Sequence, residues 1–288
     1  MRWTNKFGID PNIACAVMNN PYIQVGDISV TGLLRPPQMA ALEQEHFHDM
    51  VEDVSDGLWR LMGRAMHHIL STGRDGTDDG TIQEQLLTME VLGWTVSGHF
   101  DILYPTGTLK DYKFSTVWAY IFGRKEWAEQ VNLYALMAER NGLEVNDLSI
   151  SLLCRDWNAR LAKDNQDMPR IPFVEIPVTR WPRDYAEKFL AERVRLHQQA
   201  LAGNAPPCTD DDRWAKPDTW AVQKPNAKRA WRVFPNIYKA KELADKVTGM
   251  AVVHRPGSNV RCASYCPVTQ FCKQAKALGV VLEEAEGD

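Results

Sequence analysis

The sequence predicts an α/β fold in which a mixed sheet is flanked by helices, with an appended lobe at the C-terminal end. Three observations carry that expectation. Helix, hairpin, helix and strand follow one another in an order that builds helical layers on a sheet. A chain of 288 residues with 44% hydrophobic and 24% charged residues has the composition of a globular protein able to bury a substantial core. Pro206-Pro207-Cys208 then opens a stretch of different composition. The expected division is residues 1–204 for the core, with its N-terminal helical segment, and 205–288 for the lobe.

Each element has its own signal. Pro36-Pro37 precedes a helical stretch from about Gln38 to Met50, and Ser55 is placed to cap a second helix. In that helix Leu58, Leu61, Met62, Ala65, Met66, Ile69 and Leu70 recur at the spacing of a buried stripe, with Gly63 and His67 opposite. The Asp- and Gly-rich loop Gly73 to Gly80 is similar to a calcium loop, but Leu86 stands where a bidentate Glu is needed, so it reads as a solvated turn. Trp94–Tyr104 and Thr108–Phe114 read as strands of a hairpin turned by Pro105-Thr106-Gly107. Ser115 or Thr116 opens a helix reaching about Asn141 and closed by Gly142. Strands near Leu148–Arg155 and Pro172–Val178 follow, then a helix from Arg183 to Ala202 ended by Gly203. No internal repeat is evident.

The hairpin carries chemistry. Centred on Thr106, it pairs 104 with 108 and therefore sets Asp101 opposite Asp111, unless a bulge at Gly107 shifts the register by one. Like charges directly opposite each other destabilise a sheet unless a cation bridges them. Their hard oxygens suit Mg²⁺ or Mn²⁺. Lys113, two residues beyond Asp111, projects from the same face. Such a trio suits phosphodiester hydrolysis, with a metal to polarise the phosphate and lower the pKa of a bound water, and an ammonium to orient that water. The plain alternative is a solvated Asp–Lys pair on a surface strand.

Around the hairpin lie Gly63-x-x-x-His67, Gly98-His99-Phe100-Asp101, Asp111-Tyr112-Lys113 and Gln130-x-x-x-Tyr134, in that order. This set resembles the RecB-like branch of the PD-(D/E)XK nuclease superfamily, whose core is the restriction-endonuclease-like mixed sheet. The resemblance implies that Asp101 and Asp111 bind metal with help from the Tyr112 carbonyl, that Lys113 is catalytic, and that His67 ligates the metal. It assigns Gln130 and Tyr134, one turn apart on a helix, to positioning DNA. By spacing alone those two could equally form a half-exposed helix face. His68 is the alternative ligand to His67. Ser71 stands where some members carry an acid, and Glu84 and Glu90 both qualify as an upstream carboxylate.

Cys262-x3-Cys266-x5-Cys272 is a tight cluster that Cys208 could complete to four thiolates, fitting an iron–sulfur cluster or structural zinc. Several RecB-like nucleases hold a [4Fe–4S] cluster with a C-terminal triplet and one distant cysteine, and the Pro-Pro-Cys and Arg-Cys-x-x-Tyr-Cys-Pro segments resemble phage and prophage members. Here the lone cysteine follows the nuclease motifs instead of preceding them. Cys15 and Cys154 read as buried, apolar-like residues. Between Arg213 and Lys241, eight basic residues interleave with Trp214, Trp220 and Trp231 against the single acid Asp218. That segment suits strand guidance by phosphate contacts and base stacking, or equally a solvated hairpin with its tryptophans inward.

The expected function is Mg²⁺- or Mn²⁺-dependent DNA hydrolysis, as an exonuclease or end-processing enzyme of phage-type recombination, repair or replication. The substrate is DNA, single-stranded or with free ends, and phage recombination or replication proteins are the expected partners. The rivals are a catalytically idle DNA-binding scaffold of the same fold and a structure- or site-specific endonuclease. The formal charge of −4 gives no global polyanion signal. No apolar run approaches bilayer length and residues 1–11 lack a signal-peptide core, so a cytoplasmic protein is expected.

Overall fold

The computed structural model describes residues 1–19, 24–73 and 79–281. Its contacts separate two units, Met1–Arg35 with His48–Asn204, and Pro36–Phe47 with Ala205–Asp288. The turn assigned to Gly73–Gly80 lies mostly outside the described residues.

In chain order the first unit begins with β1 (Arg2–Thr4), α1 (Pro11–Met18), β2 (Ile28–Ser29) and α2 (Val30–Leu33). Helix α3 (Pro37–Glu45) belongs to the second unit, and β3 (Val51–Asp53), α4 (Leu58–Thr72), β4 (Ile82–Val91), β5 (Trp94–Leu103) and β6 (Thr108–Ser115) return to the first. It closes with α5 (Val117–Ile121), α6 (Lys125–Arg140), β7 (Asp147–Cys154), α7 (Ala159–Asp164), β8 (Phe173–Val178) and α8 (Arg183–Gln199). The main sheet runs β2-β5-β6-β7-β8, with β4 on the other edge of β5. Its pairings are mixed: β2–β5 and β6–β7 are parallel, the others antiparallel.

Strand β5 organises this sheet. Strand β4 pairs along its length, while the opposite edge is shared, β2 taking Val96 and Ser97 and β6 taking Ile102 and Leu103. The main core joins Val96 and Phe100 of β5 and Leu109 of β6 to Leu133 and Met137 of α6 and Leu190 of α8. Every residue of α6 from Gln130 to Ala138 is buried, so this helix is held by packing on all sides. Gly98 allows the approach: a Cβ there would lie 2.9 Å from Met137 Sδ and 3.1 Å from the Tyr134 ring.

Several elements differ from expectation. Strand β4 was not foreseen; its turn into β5 uses Leu92 and Gly93, both at positive φ (49° and 80°), and Leu-Gly is a weak signal for that turn. The single helix expected from Ser115 to Asn141 is broken between α5 and α6, where Gly123 takes φ 72°. Asp53, not Ser55, caps the turn leading into α4, in a reciprocal capping box with Asp56. No residue of α4 is fully buried. Leu58 and Leu61 pack on a small cluster of Ala14, Val17 and Val54, but Met62 is 49% and Ile69 61% exposed. Among the described residues the helix lies against α1 and β6 and contributes nothing to the main core. Cys154 is buried as expected, whereas Cys15 is exposed.

The second unit continues through α9 (Asp210–Arg213), β9 (Ala215–Lys216), β10 (Thr219–Gln223), β11 (Arg232–Phe234), α10 (Ile237–Lys246), β12 (Ala251–Arg255), β13 (Ser258–Asn259) and α11 (Lys273–Ala277). Strands β11-β10-β12 form an antiparallel sheet, against which α10 lies. The sequence groups 36–47 with the N-terminal region. Specific contacts instead tie α3 to this unit: the Cys208 N–H donates to Gln38 Oε1 (3.1 Å), and the His46 ring stacks on Phe271 at 4.1 Å. Trp214 and Trp220 are half-buried, under Arg261 and against His254 respectively, while Trp231 is exposed. Among the described residues no helix is long and apolar enough to cross a membrane.

Gly98→Val should lower stability by about 1–3 kcal/mol through overpacking against Met137 and Tyr134, read as a lower urea midpoint with unchanged slope.

Candidate metal centre and cysteine pocket

The hairpin keeps the simple register. Ile102 pairs with Lys110 and Leu103 with Leu109, the Tyr104 N–H donates to the Thr108 carbonyl at 3.0 Å, and no bulge shifts the pairing. Gly107 takes φ 78°, and a Cβ there would strike the Asn146 side chain at 2.4 Å, so the turn requires glycine. Beyond Ile102–Lys110 the ladder stops. Asp101, in the next position, instead accepts the Tyr112 N–H through Oδ2 at 2.5 Å. Asp101 and Asp111 are nonetheless opposed, as the register requires, and both are buried.

Strand β4 adds a third carboxylate. The pairs Gln83–Ile102 and Gln85–Phe100 set Glu84 opposite Asp101, so Glu84, Asp101 and Asp111 form one row across three strands. Glu84 takes φ 48° inside a strand, a left-handed conformation uncommon for a residue with a side chain and typical of functional sites. His67 of α4 reaches into the row with Nδ1 3.1 Å from Asp101 Oδ1. Ligand atoms of His67, Glu84 and Asp101 lie within 4.8 Å of one another, a spacing compatible with one bound ion.

Asp111 is held from the other side. Lys113 Nζ lies 2.8 Å from its Oδ2 and donates to Gln130 Oε1 at 2.9 Å; Gln130 Nε2 faces Asp111 Oδ1 at 3.3 Å and donates to the Tyr134 hydroxyl at 2.8 Å. The Lys113 ammonium and the Gln130 amide are thus the polar partners of the buried Asp111 carboxylate. Burial foremost, with Asp101 nearby, raises the Asp111 pKa against the pull of Lys113. Glu84 is raised by burial and then by Asp101, and His67 by its hydrogen bond to Asp101. Three carboxylates at one level of a sheet repel one another, and a divalent cation relieves such repulsion.

The structure thus gathers His67, Asp101, Asp111, Lys113, Gln130 and Tyr134 into one neighbourhood. Gln130 and Tyr134 are buried, 8% and 4% exposed, which excludes a half-exposed helix face and puts them behind Lys113 and Asp111. His68 is exposed and outside the ligand set, though with His67, Ser71 and Glu84 it lines an adjoining cleft of about 500 Å³. Of the two candidate upstream acids, Glu84 joins the cluster, while Glu90 accepts from Thr95 near the turn into β5. His99, left without a role by the sequence reading, has Nδ1 3.2 Å from Glu84. The signal that could have singled out Glu84 is register alone, since pairing Val91 with Trp94 fixes 84 opposite 101.

In the second unit Cys208, Cys262, Cys266 and Cys272 line one small pocket with Gln38, Met39 and Leu42 of α3. All four are free thiols. Burial, followed by Asp212 and the neighbouring thiols, pushes Cys208 up to about 12. Gln274 spans the pocket, accepting from the Cys208 N–H and donating to its carbonyl, both at 2.8 Å, and the Ala275 N–H points at Cys272 Sγ at 3.4 Å.

No family model and no curated protein matches this sequence. Among solved structures, SSO0001 superposes with a TM-score of 0.46 at 11% identity over 70% of this chain and 89% of that one. A "Putative exonuclease" from Eubacterium rectale superposes with a TM-score of 0.32 at 12% identity over 57% of this chain and 62% of that one. Likenesses so distant leave function to be read from the site itself.

Glu84→Gln should weaken Mn²⁺ binding about tenfold or more in calorimetric titration, whereas Glu90→Gln should leave it unchanged. Equal losses would remove Glu84 from the ligand set.

Proposed function

We propose that this chain is a metal-dependent DNA nuclease of the PD-(D/E)XK kind, in the RecB-like, phage-type branch, hydrolysing phosphodiester bonds at DNA ends. The observation that carries the reading is the cross-strand row Glu84, Asp101 and Asp111, joined by His67 and Lys113. These residues fit a hard divalent cation. His67, Glu84 and Asp101 would hold it, with Asp111 and the Tyr112 carbonyl completing the set, and the imidazole favours Mn²⁺ over a purely oxygen site. When bound, such an ion neutralises phosphate charge and lowers the pKa of a coordinated water.

The protein's own groups do the rest. Lys113 presents an ammonium beside the carboxylates, where it orients water or stabilises charge developing on the phosphate. Gln130 accepts from that ammonium and donates to Tyr134, so it fixes the rotamer of Lys113 and is a positioning residue. Four groups on rigid elements make an idle scaffold the weaker reading, because nothing in the fold requires three acids at one level of a sheet.

With Mg²⁺ or Mn²⁺, wild-type protein should degrade end-labelled DNA, and Lys113→Ala should lower turnover by about 10²–10³-fold while circular dichroism stays unchanged. His67→Ala should lose most activity and His68→Ala little. Undiminished cleavage by Lys113→Ala would sink the mechanism. Nicking of closed circular DNA would replace end processing by an endonuclease.

For the second unit we infer a [4Fe–4S] cluster on Cys208, Cys262, Cys266 and Cys272. Its support is that the four thiols line one pocket, an arrangement that suits a cluster with one iron per thiolate. Anaerobically purified protein should be brown with about four irons per chain. Cys262→Ala should abolish the colour and loosen the unit, and Cys15→Ala should change neither. Colourless protein with one zinc would assign the pocket to zinc.

A further inference from the structure

One face of α4 carries His67, Gly63 and Trp59 at successive i, i+4 spacings, so the three form a line along the helix. The ends of the line are anchored by the fold. His67 meets Asp101 in the metal centre, and the Trp59 ring lies under the Arg155 guanidinium at 3.8 Å. Between them, among the described residues, nothing stands within 4 Å of where a Gly63 Cβ would be. A glycine in the interior of a 15-residue helix costs stability relative to alanine, and here no packed neighbour and no backbone conformation demands it. The bare backbone is therefore room that the fold leaves open.

The far end of the line is aromatic and basic. Trp59 is 58% exposed despite its contact with Arg155, whose N–H bonds to the Ser115 carbonyl at the end of β6. Immediately beyond Ser115, α5 presents Trp118, and Phe122 follows the helix; the two rings stack at 5.7 Å and are 56% and 79% exposed. Water-facing aromatic rings, one of them under a guanidinium, are costly as mere surface and well matched to unpaired bases and a phosphate backbone.

We propose that this face is a track for single-stranded DNA, leading the strand from a base-stacking platform at Trp59 and Arg155, past Gly63, to the scissile position at His67 and Lys113. The sugar–phosphate chain passes against the bare helix at Gly63. The proposal rests on the nuclease reading only for what happens at the end of the track, since binding can be measured without cleavage. Duplex DNA has no exposed base faces for the platform, so the track selects single strands.

The test uses full-length protein carrying Lys113→Ala, with Ca²⁺ in place of the activating metal and dye-labelled oligonucleotides read by anisotropy. Adding Trp59→Ala should weaken single-strand binding about tenfold or more and lower the ratio of single- to double-strand affinity, and Trp59→Phe should restore much of it. Gly63→Leu should weaken single-strand binding comparably, by filling the lane. Gly63→Ala should raise the melting temperature while lowering single-strand cleavage in the otherwise wild-type enzyme, a pair of opposite signs that a structural role for Gly63 would not give. Single-strand binding unaffected by both Trp59→Ala and Gly63→Leu would overturn the track, whatever the protein cuts. Track-dependent binding by a protein that cleaves nothing with Mg²⁺ or Mn²⁺ would keep the track and overturn the nuclease.

Discussion

Two buried carboxylates held opposite each other in one hairpin create a repulsion that the first unit must relieve. An unbroken ladder would leave both ionised groups facing each other across a single strand spacing. The ladder instead ends after Ile102–Lys110, and Asp101 takes the freed Tyr112 N–H as a donor while Asp111 is matched by Lys113 and Gln130. The relieving groups come from three elements: β6 supplies Tyr112 and Lys113, α6 supplies Gln130, and α4 supplies His67. Glu84 brings one more carboxylate into the row, with His99 beside it, so three acids stand at one level of the sheet.

Distances at the site are set by what glycine omits. Gly98 brings α6 close enough to β5 for Gln130, one turn before Tyr134, to span Lys113 and Asp111; a larger residue would push the helix outward and slacken the network. Gly107 holds the register that makes 101 and 111 opposites. At Gly63 the omitted side chain relieves no clash among the described residues, and this separates it from the other two.

The parts legible in sequence were those whose signals are local. The hairpin and its register, the strands at 147–154 and 173–178, the helix starting at Arg183 and the grouping of three cysteines each rest on turn residues, periodicity or spacing within a few residues. What was missed depends on partners distant in sequence. Strand β4 lacks a strong turn signal and shows no clean alternation, so Glu84 could not be told from Glu90 without the pairing that sets it opposite Asp101. The stripe of α4 has the period of a buried face, but the helix lies over a charged site instead of an apolar core, and Met62 and Ile69 stay in water. Periodicity reports that a helix has an apolar face and is silent on whether the fold covers it. The segment 36–47 reads as part of the N-terminal region for a similar reason, since its attachment to Cys208 and Phe271 spans more than 150 residues.

The second unit makes the opposite demand on its ligands. In the first unit the sheet and α6 hold the aspartates in place, so a metal ion would be received by a site the apolar core has already built. None of the apolar clusters among the described residues includes a residue of the second unit, whose fully buried apolar side chains, such as Met39, Val222, Ala240 and Val268, are scattered and mostly small. Its strands are two to five residues long. Folds with short strands and small cores gain much from a metal or a disulfide. The thiol pocket lies where α3, the Cys208 segment and the C-terminal triplet converge, three stretches of chain far apart in sequence. Ligation at that point would close long loops and couple binding to folding, so a metal there would act on structure, whereas a metal at the carboxylate row would act on chemistry.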